Sequence, residues 1–134
     1  MNASITIHDA VGELGITAME NGFKGRIDVY FDNGQCNFLA QEIDLNRDML
    51  PIRAMRFLPN GDLIVMSYLY LIKFKLGGDD RYRFVQQVEM KQVGYHELCV
   101  TADEIRCIKH VSEIALGHLD VVDVYHASDL TVKN

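Results

Sequence analysis

At 134 residues the chain has room for one domain and little more, which argues against a large barrel enzyme or a polytopic transporter. With 49% hydrophobic and 24% charged residues it has the composition of a folded protein, not of a disordered or collagen-like one. Thirteen Lys and Arg against nineteen Asp and Glu leave a net charge of −6, so the basic footprint of a general nucleic-acid or anionic-membrane binder is missing.

In chain order, Ser4 to His8, Gly15 to Met19, Arg26 to Phe31 and Cys36 to Leu45 read as strands, rich in β-branched and aromatic residues, with Asp32-Asn33-Gly34 as the turn between the last two. Asn46 to Leu50 offers one helical turn, because Pro51 disfavours helix at Leu50. Ile52 to Leu58, Leu63 to Tyr68, Tyr70 to Leu76 and Tyr82 to Met90 follow as strands, punctuated by Pro59-Asn60-Gly61-Asp62 and Gly77-Gly78-Asp79-Asp80. Tyr95 to Thr101 and Glu104 to Lys109 meet at Ala102-Asp103. Val111 to Asp120 is expected as a long loop, with one helical turn at Ser112 to Leu116, before a last strand from Val121 to His126 and a turn at Ala127-Ser128-Asp129. The predicted class is all-β.

Cys36, Cys99 and Cys107 are an odd number in a chain that can bury a core without staples, so no disulfide framework is expected and an intracellular, cytoplasmic setting fits. Met1 to Asp9 lacks the pattern of a secretory signal. Leu63 to Ile72, the most apolar stretch, is about half of the roughly 20 residues that a membrane helix needs, so no membrane insertion is expected.

A short motif repeats. Ile27-Asp28-Val29-Tyr30 returns as Val122-Asp123-Val124-Tyr125, and Leu71-Ile72-Lys73-Phe74 falls between them. Each ends on an aromatic, Tyr30, Phe74 or Tyr125, and each is preceded by a hairpin, which gives a four-stranded unit of about 43 to 51 residues, the size of a propeller blade. Ile52 to Ser67, with Pro59-Asn60-Gly61 at its turn, resembles the first hairpin of a WD-repeat-like blade, and Tyr70 to Leu76 with the strand from Tyr82 resembles the second. The resemblance implies three blade-like repeats in a single domain, 3–45, 51–91 and 94–134, with the three aromatics buried between neighbouring sheets. The chain departs from that family in having no Trp, no Asp after the aromatics, and its one Gly-His pair, Gly117-His118, before a third strand. A single β-sandwich or barrel is the alternative fold.

Propellers close with four to eight blades, so three blades leave two open end faces. Those faces are expected to be flat and apolar and to be covered by a second copy, as a homodimer or other homo-oligomer, or by a protein partner. Leu63 to Met66, apolar at consecutive positions, reads as an inner strand buried on both sides, and the alternating Tyr82 to Met90 as an outer one.

Three groups of side chains invite a functional reading. His96-x-x-Cys99 and Cys107-x-x-His110 have the residue types of a zinc site. A two-residue turn at Ala102-Asp103, however, sets Cys99 opposite Arg106 and Cys107 opposite Leu98, with the sulfurs on opposite faces, His96 beside Cys107, and Cys99 beside His110. Structural cysteines are therefore expected, with no metal and no cofactor. Second, His110, Glu113, His118 and Asp120 surround the expected loop and are the candidate binding residues, with Asp123 and His126 nearby; a solvated loop is the simpler reading. Third, Lys73, Lys75, Arg81 and Arg83 interleave with Phe74, Tyr82 and Phe84. Such a pattern can bind a nucleic-acid strand, but on an outer-edge hairpin the same charges keep strands from aggregating, and Asp79 and Asp80 would repel phosphate, so nucleic acid is not expected and a salt-dependent contact with an acidic peptide is the alternative.

The sequence thus points to a non-catalytic protein-interaction or assembly scaffold. The competing reading is a small-molecule site or metal-dependent hydrolase at the axis of an assembled oligomer, yet no Asp, Glu, Asn or His recurs at an equivalent position in all three copies of the motif to build it.

Overall fold

Short β-branched and aromatic runs broken by Gly, Asn and Asp turns leave little choice but hairpins. In the computed structural model, residues 8–11, 16–21, 25–32, 35–113 and 117–133 are described, with backbone pairing alone for 8–11, 21, 111–113 and 117–119. They form three antiparallel sheets, each in chain order. The first holds β1 (His8–Val11), β2 (Ile16–Asn21), β3 (Arg26–Asp32) and β4 (Asn37–Asp44). A 3-10 turn at Arg47–Met49, where one helical turn is expected, leads to the second: β5 (Ile52–Phe57), β6 (Leu63–Ser67), β7 (Tyr70–Leu76) and β8 (Tyr82–Glu89). The third holds β9 (Glu97–Val100), β10 (Glu104–Glu113) and β11 (Gly117–His126). In place of a full fourth strand, the third sheet has one bridge from Tyr125 to Val132, flanked by hydrogen bonds from His126 N to Thr131 O and from Lys133 N to Val124 O, both 2.8 Å.

The middle sheet is buried on both sides. Met55, Phe57, Leu63, Val65, Ile72 and Phe74 pack with Ile16, Ala18, Ile27, Val29 and Ile43 of the first sheet. Ala54, Ile64, Met66 and Leu71 pack with Leu98, Ile105, Cys107, Tyr125 and Leu130 on the other side. Every residue of β6 is buried, as its unbroken apolar run requires, and β8 is the half-exposed edge. β5, first strand of the middle sheet, adjoins the first strands of both neighbours, β1 and β9.

Polar contacts also tie the sheets together. Tyr82 N donates to Gln41 Oε1 at 2.7 Å and Gln41 Nε2 donates to Tyr82 O at 2.8 Å, joining β4 to β8. Within the middle sheet, Gly61 takes φ +95° at the tip of the Pro59-Asn60-Gly61 turn, a conformation that favours glycine. Its carbonyl accepts the buried Tyr82 hydroxyl, and Asp62 Oδ1 accepts the Leu76 N–H at 3.0 Å. Burial, then the Asp62 charge, pushes the Tyr82 phenol well above its ordinary pKa.

Several expectations shift. β1 begins at His8, where a strand over Ser4 to His8 is expected; residues 4–7 lie outside the described set, as do Gly15, Asn33 and Gly34. The long loop from Val111 to Asp120 is instead an extension of the β10–β11 hairpin, paired in unbroken register from Glu104↔His126 to Glu113↔Gly117. Val111, Val121 and Val122 continue the strand composition, and the ladder supplies backbone partners that a loop would need to find elsewhere. Ser112 and Glu113 are therefore strand, and residues 114–116 of the expected helical turn lie outside the described set. Among the described residues no helix is long and apolar enough to cross a membrane.

Candidate interaction surfaces

The β9–β10 hairpin has the two-residue turn expected, with Arg106 opposite Cys99 and Leu98 opposite Cys107. Strand alternation then sends the cysteines to opposite faces: Cys107 is buried and Cys99 is exposed. Burial, together with the charges of Asp123 and Cys99, pushes the Cys107 thiol up to about 12, which makes it inert at neutral pH.

His96 departs from the expected face. Its ring stacks on that of His110 at 3.9 Å between centroids, on the outer side of the sheet, not beside Cys107. The cause lies just upstream. Gly94 turns the chain at φ +81° and the fully buried Tyr95 takes the inward position, so His96 falls outside the β9 alternation. The His110 N–H donates to His96 Nδ1 at 3.4 Å, and His110 Nδ1 meets the Asp120 carboxylate across the ladder. His110 and Asp120, expected as loop neighbours, are thus a cross-strand pair. The backbones of Glu113 and His118 pair with Gly117 and Ser112, and their side chains lie outside the described set. Among the described residues, no group of three His, Cys, Asp or Glu side chains is placed to hold a metal ion.

The outer face of the third sheet is mixed, not flat and apolar as expected. Cys99, Arg106, His110 and Asp120 share it with Ile108, Val122 and Val124. The outer face of the first sheet is similar: Arg26 reaches Asp28 at 2.8 Å and Glu42 at 2.6 Å, beside the half-buried Met19 and Tyr30. Tyr30, Phe74 and Tyr125 lie on the third strand of their respective sheets. Phe74 and Tyr125 are 3% and 1% exposed, in the cores shared with the preceding sheet. Tyr30 is only half-buried, because it points away from Val29 and the second sheet.

On the inner side of the third sheet Asp123 and Tyr125 join a polar cluster with Tyr95, Gln92 and Lys91, which the sequence did not single out. Tyr95 donates its hydroxyl to the buried Asp123 carboxylate, Gln92 Nε2 donates to the same oxygen at 3.1 Å, and the Lys91 N–H donates to the Tyr125 hydroxyl at 2.8 Å. Burial, then the hydrogen bond to Asp123, holds the Tyr95 phenol far above its usual range, and burial raises Tyr125.

The basic and aromatic series along β7 and β8 does not form one surface. Phe74 and Tyr82 belong to the core facing the first sheet, whereas Arg83 is exposed and paired with Asp79 at 2.6 Å. Lys73 is buried and faces the third sheet, where Nζ donates to Ala127 O at 2.8 Å and Ser128 O at 3.2 Å. One signal in the sequence marks it: Lys73 takes the place that Val29 and Val124 hold in the other copies of the motif.

The chain matches no known family model, no curated protein and no solved structure.

Proposed function

We propose that this protein is a non-catalytic assembly module of three propeller-type blades, whose ring is completed by a second copy of the chain or by a partner of the same blade type. The observation that carries the proposal is the contrast among the three aromatics. Phe74 and Tyr125 are each covered by the preceding sheet, whereas among the described residues no sheet precedes Tyr30, at the matching position of the first sheet. The third sheet of another copy, with Val122 and Ile108 on its outer face, is the surface that would supply the missing cover.

Two further features support the blade reading. The approach of β1, β5 and β9 is what strands around a common axis would produce. The register also slips between Val29 and Tyr30 and again between Lys73 and Phe74, with Ala40 of β4 and Val85 of β8 as the extra residues. Such bulges bend a strand at a defined place, and here they fall at the same step of the motif in both sheets. The mixed polarity of the outer faces suits an interface with a polar rim, not an exposed core.

Complementation tests the pairing. Tyr30→Lys and Val122→Asp should each weaken self-association, and an equimolar mixture should restore it, because a head-to-tail ring then keeps one interface unaltered and gives the other opposite charges. Restoration is the expected result. Two variants that associate like the parent chain would contradict the proposal.

A further inference from the structure

Between the second and third sheets lies a cavity of about 330 Å³, lined by Leu58, Asn60, Lys73, Asp103, His126 and Ser128 among others. We propose that it is a binding site for a small oxyanion, an inorganic phosphate or a short carboxylate, with an anionic oxygen seated on Lys73 Nζ. This site lies within one chain and does not depend on association with a second copy or a partner.

Lys73 is the reason. It is 9% exposed, and its ammonium donates to two backbone carbonyls, those of Ala127 and Ser128. An ammonium has three N–H donors. Among the described residues no carboxylate lies within ion-pair distance of Nζ, so the charge is buried without a counterion. Carbonyl dipoles solvate such a charge but do not neutralise it, and a buried unpaired ion is unfavourable. Strand packing does not demand a lysine here, since the other two copies of the motif carry Val at this position.

The cavity walls fit a compact anion. Its volume is at the lower end of ligand pockets and is enough for phosphate or a short carboxylate. His126 and Ser128 add further hydrogen-bonding groups to the wall. Asn60 is held in place, since its Oδ1 accepts the Asp62 N–H at 3.0 Å and its Nδ2 donates to Asp62 Oδ2 at 3.2 Å. Asp103 is the one lining residue that opposes an anion. It gives the proposal a signature, because removing its charge should strengthen binding, whereas a lysine acting only as a strut would be indifferent to it.

The test titrates the full chain with sodium phosphate, acetate and succinate at constant ionic strength, with chloride as control, following amide shifts by NMR. Saturable shifts at His126 and Ser128, with a dissociation constant on the order of 0.1 mM for phosphate or for a carboxylate, are expected. Which anion saturates identifies the source of the oxygen. Lys73→Met should weaken binding about tenfold or more. Asp103→Asn, an exposed substitution that leaves the core intact, should tighten it about threefold and keeps the test decisive if Lys73→Met fails to fold. Shifts that stay linear for all three anions up to about 20 mM, or saturable binding indifferent to Asp103→Asn, would overturn the proposal.

Discussion

Gln41 clamps the backbone of Tyr82 from both sides, accepting from its N–H at 2.7 Å and donating to its carbonyl at 2.8 Å. The contact joins the outer strands of two sheets whose apolar contacts lie further in. Gln41→Ala should lower stability by about 1 to 2 kcal/mol, the net value of two hydrogen bonds to partly buried backbone groups. Urea unfolding checks it: the midpoint should fall with an unchanged slope.

Asp123 is buried with Tyr95 and Gln92 as partners. Tyr95→Phe removes a donor to a carboxylate that stays buried, and should cost about 2 to 3 kcal/mol, most of it the unsatisfied charge. Asp123→Asn keeps an acceptor for the Tyr95 hydroxyl and should cost less. Thermal unfolding of both variants gives the order, and a larger loss for Asp123→Asn would contradict the assignment.

Alkaline pH should destabilise the protein through the same region. Cys107 has its pKa raised from 9.0 to about 12 by burial, and Tyr95 and Tyr125 are also raised. For an acid raised in the folded state, the unfolded chain loses its proton first, so stability falls as pH rises from about 9 through about 12. The Cys107 contribution is about 4 kcal/mol once both states are ionised. Cys107→Ala should lose about 1 to 2 kcal/mol of packing at pH 7 and show a shallower alkaline decline in denaturant midpoints.

The strands were legible because their punctuation is chemical. Asn60-Gly61 and Gly77-Gly78 mark the hairpins, and Leu63 to Met66, with no alternation, announced a strand buried on both faces. Other features depend on the tertiary setting. Val111 to Asp120 reads as loop because Ser112, Glu113, His118 and Asp120 dilute its apolar residues, yet pairing with the opposite arm satisfies the backbone whatever the side chains are. The His96 side was set by Gly94 and Tyr95, not by strand period. Lys73 read as part of a basic edge because neighbouring charges along a strand do not reveal which face each takes until the sheet is packed.

The three aromatics should separate in their effects. Tyr125→Ala opens a hole between two packed sheets and should cost about 3 to 5 kcal/mol. Tyr30→Ala should leave chain stability nearly unchanged in dilute solution and act on association instead. Equal thermal losses for the two would remove the distinction on which assembly rests.

The central claim is that the outer face of the first sheet, around Tyr30, is covered in solution by another sheet. Light scattering coupled to size exclusion on the purified chain at micromolar concentration tests it most directly. A single species of twice the 15.2 kDa chain mass is the predicted result for self-completion. A well-folded, monodisperse monomer that stays so as concentration rises would contradict self-assembly, and if it also bound no blade-type partner it would leave the exposed Tyr30 face as ordinary surface.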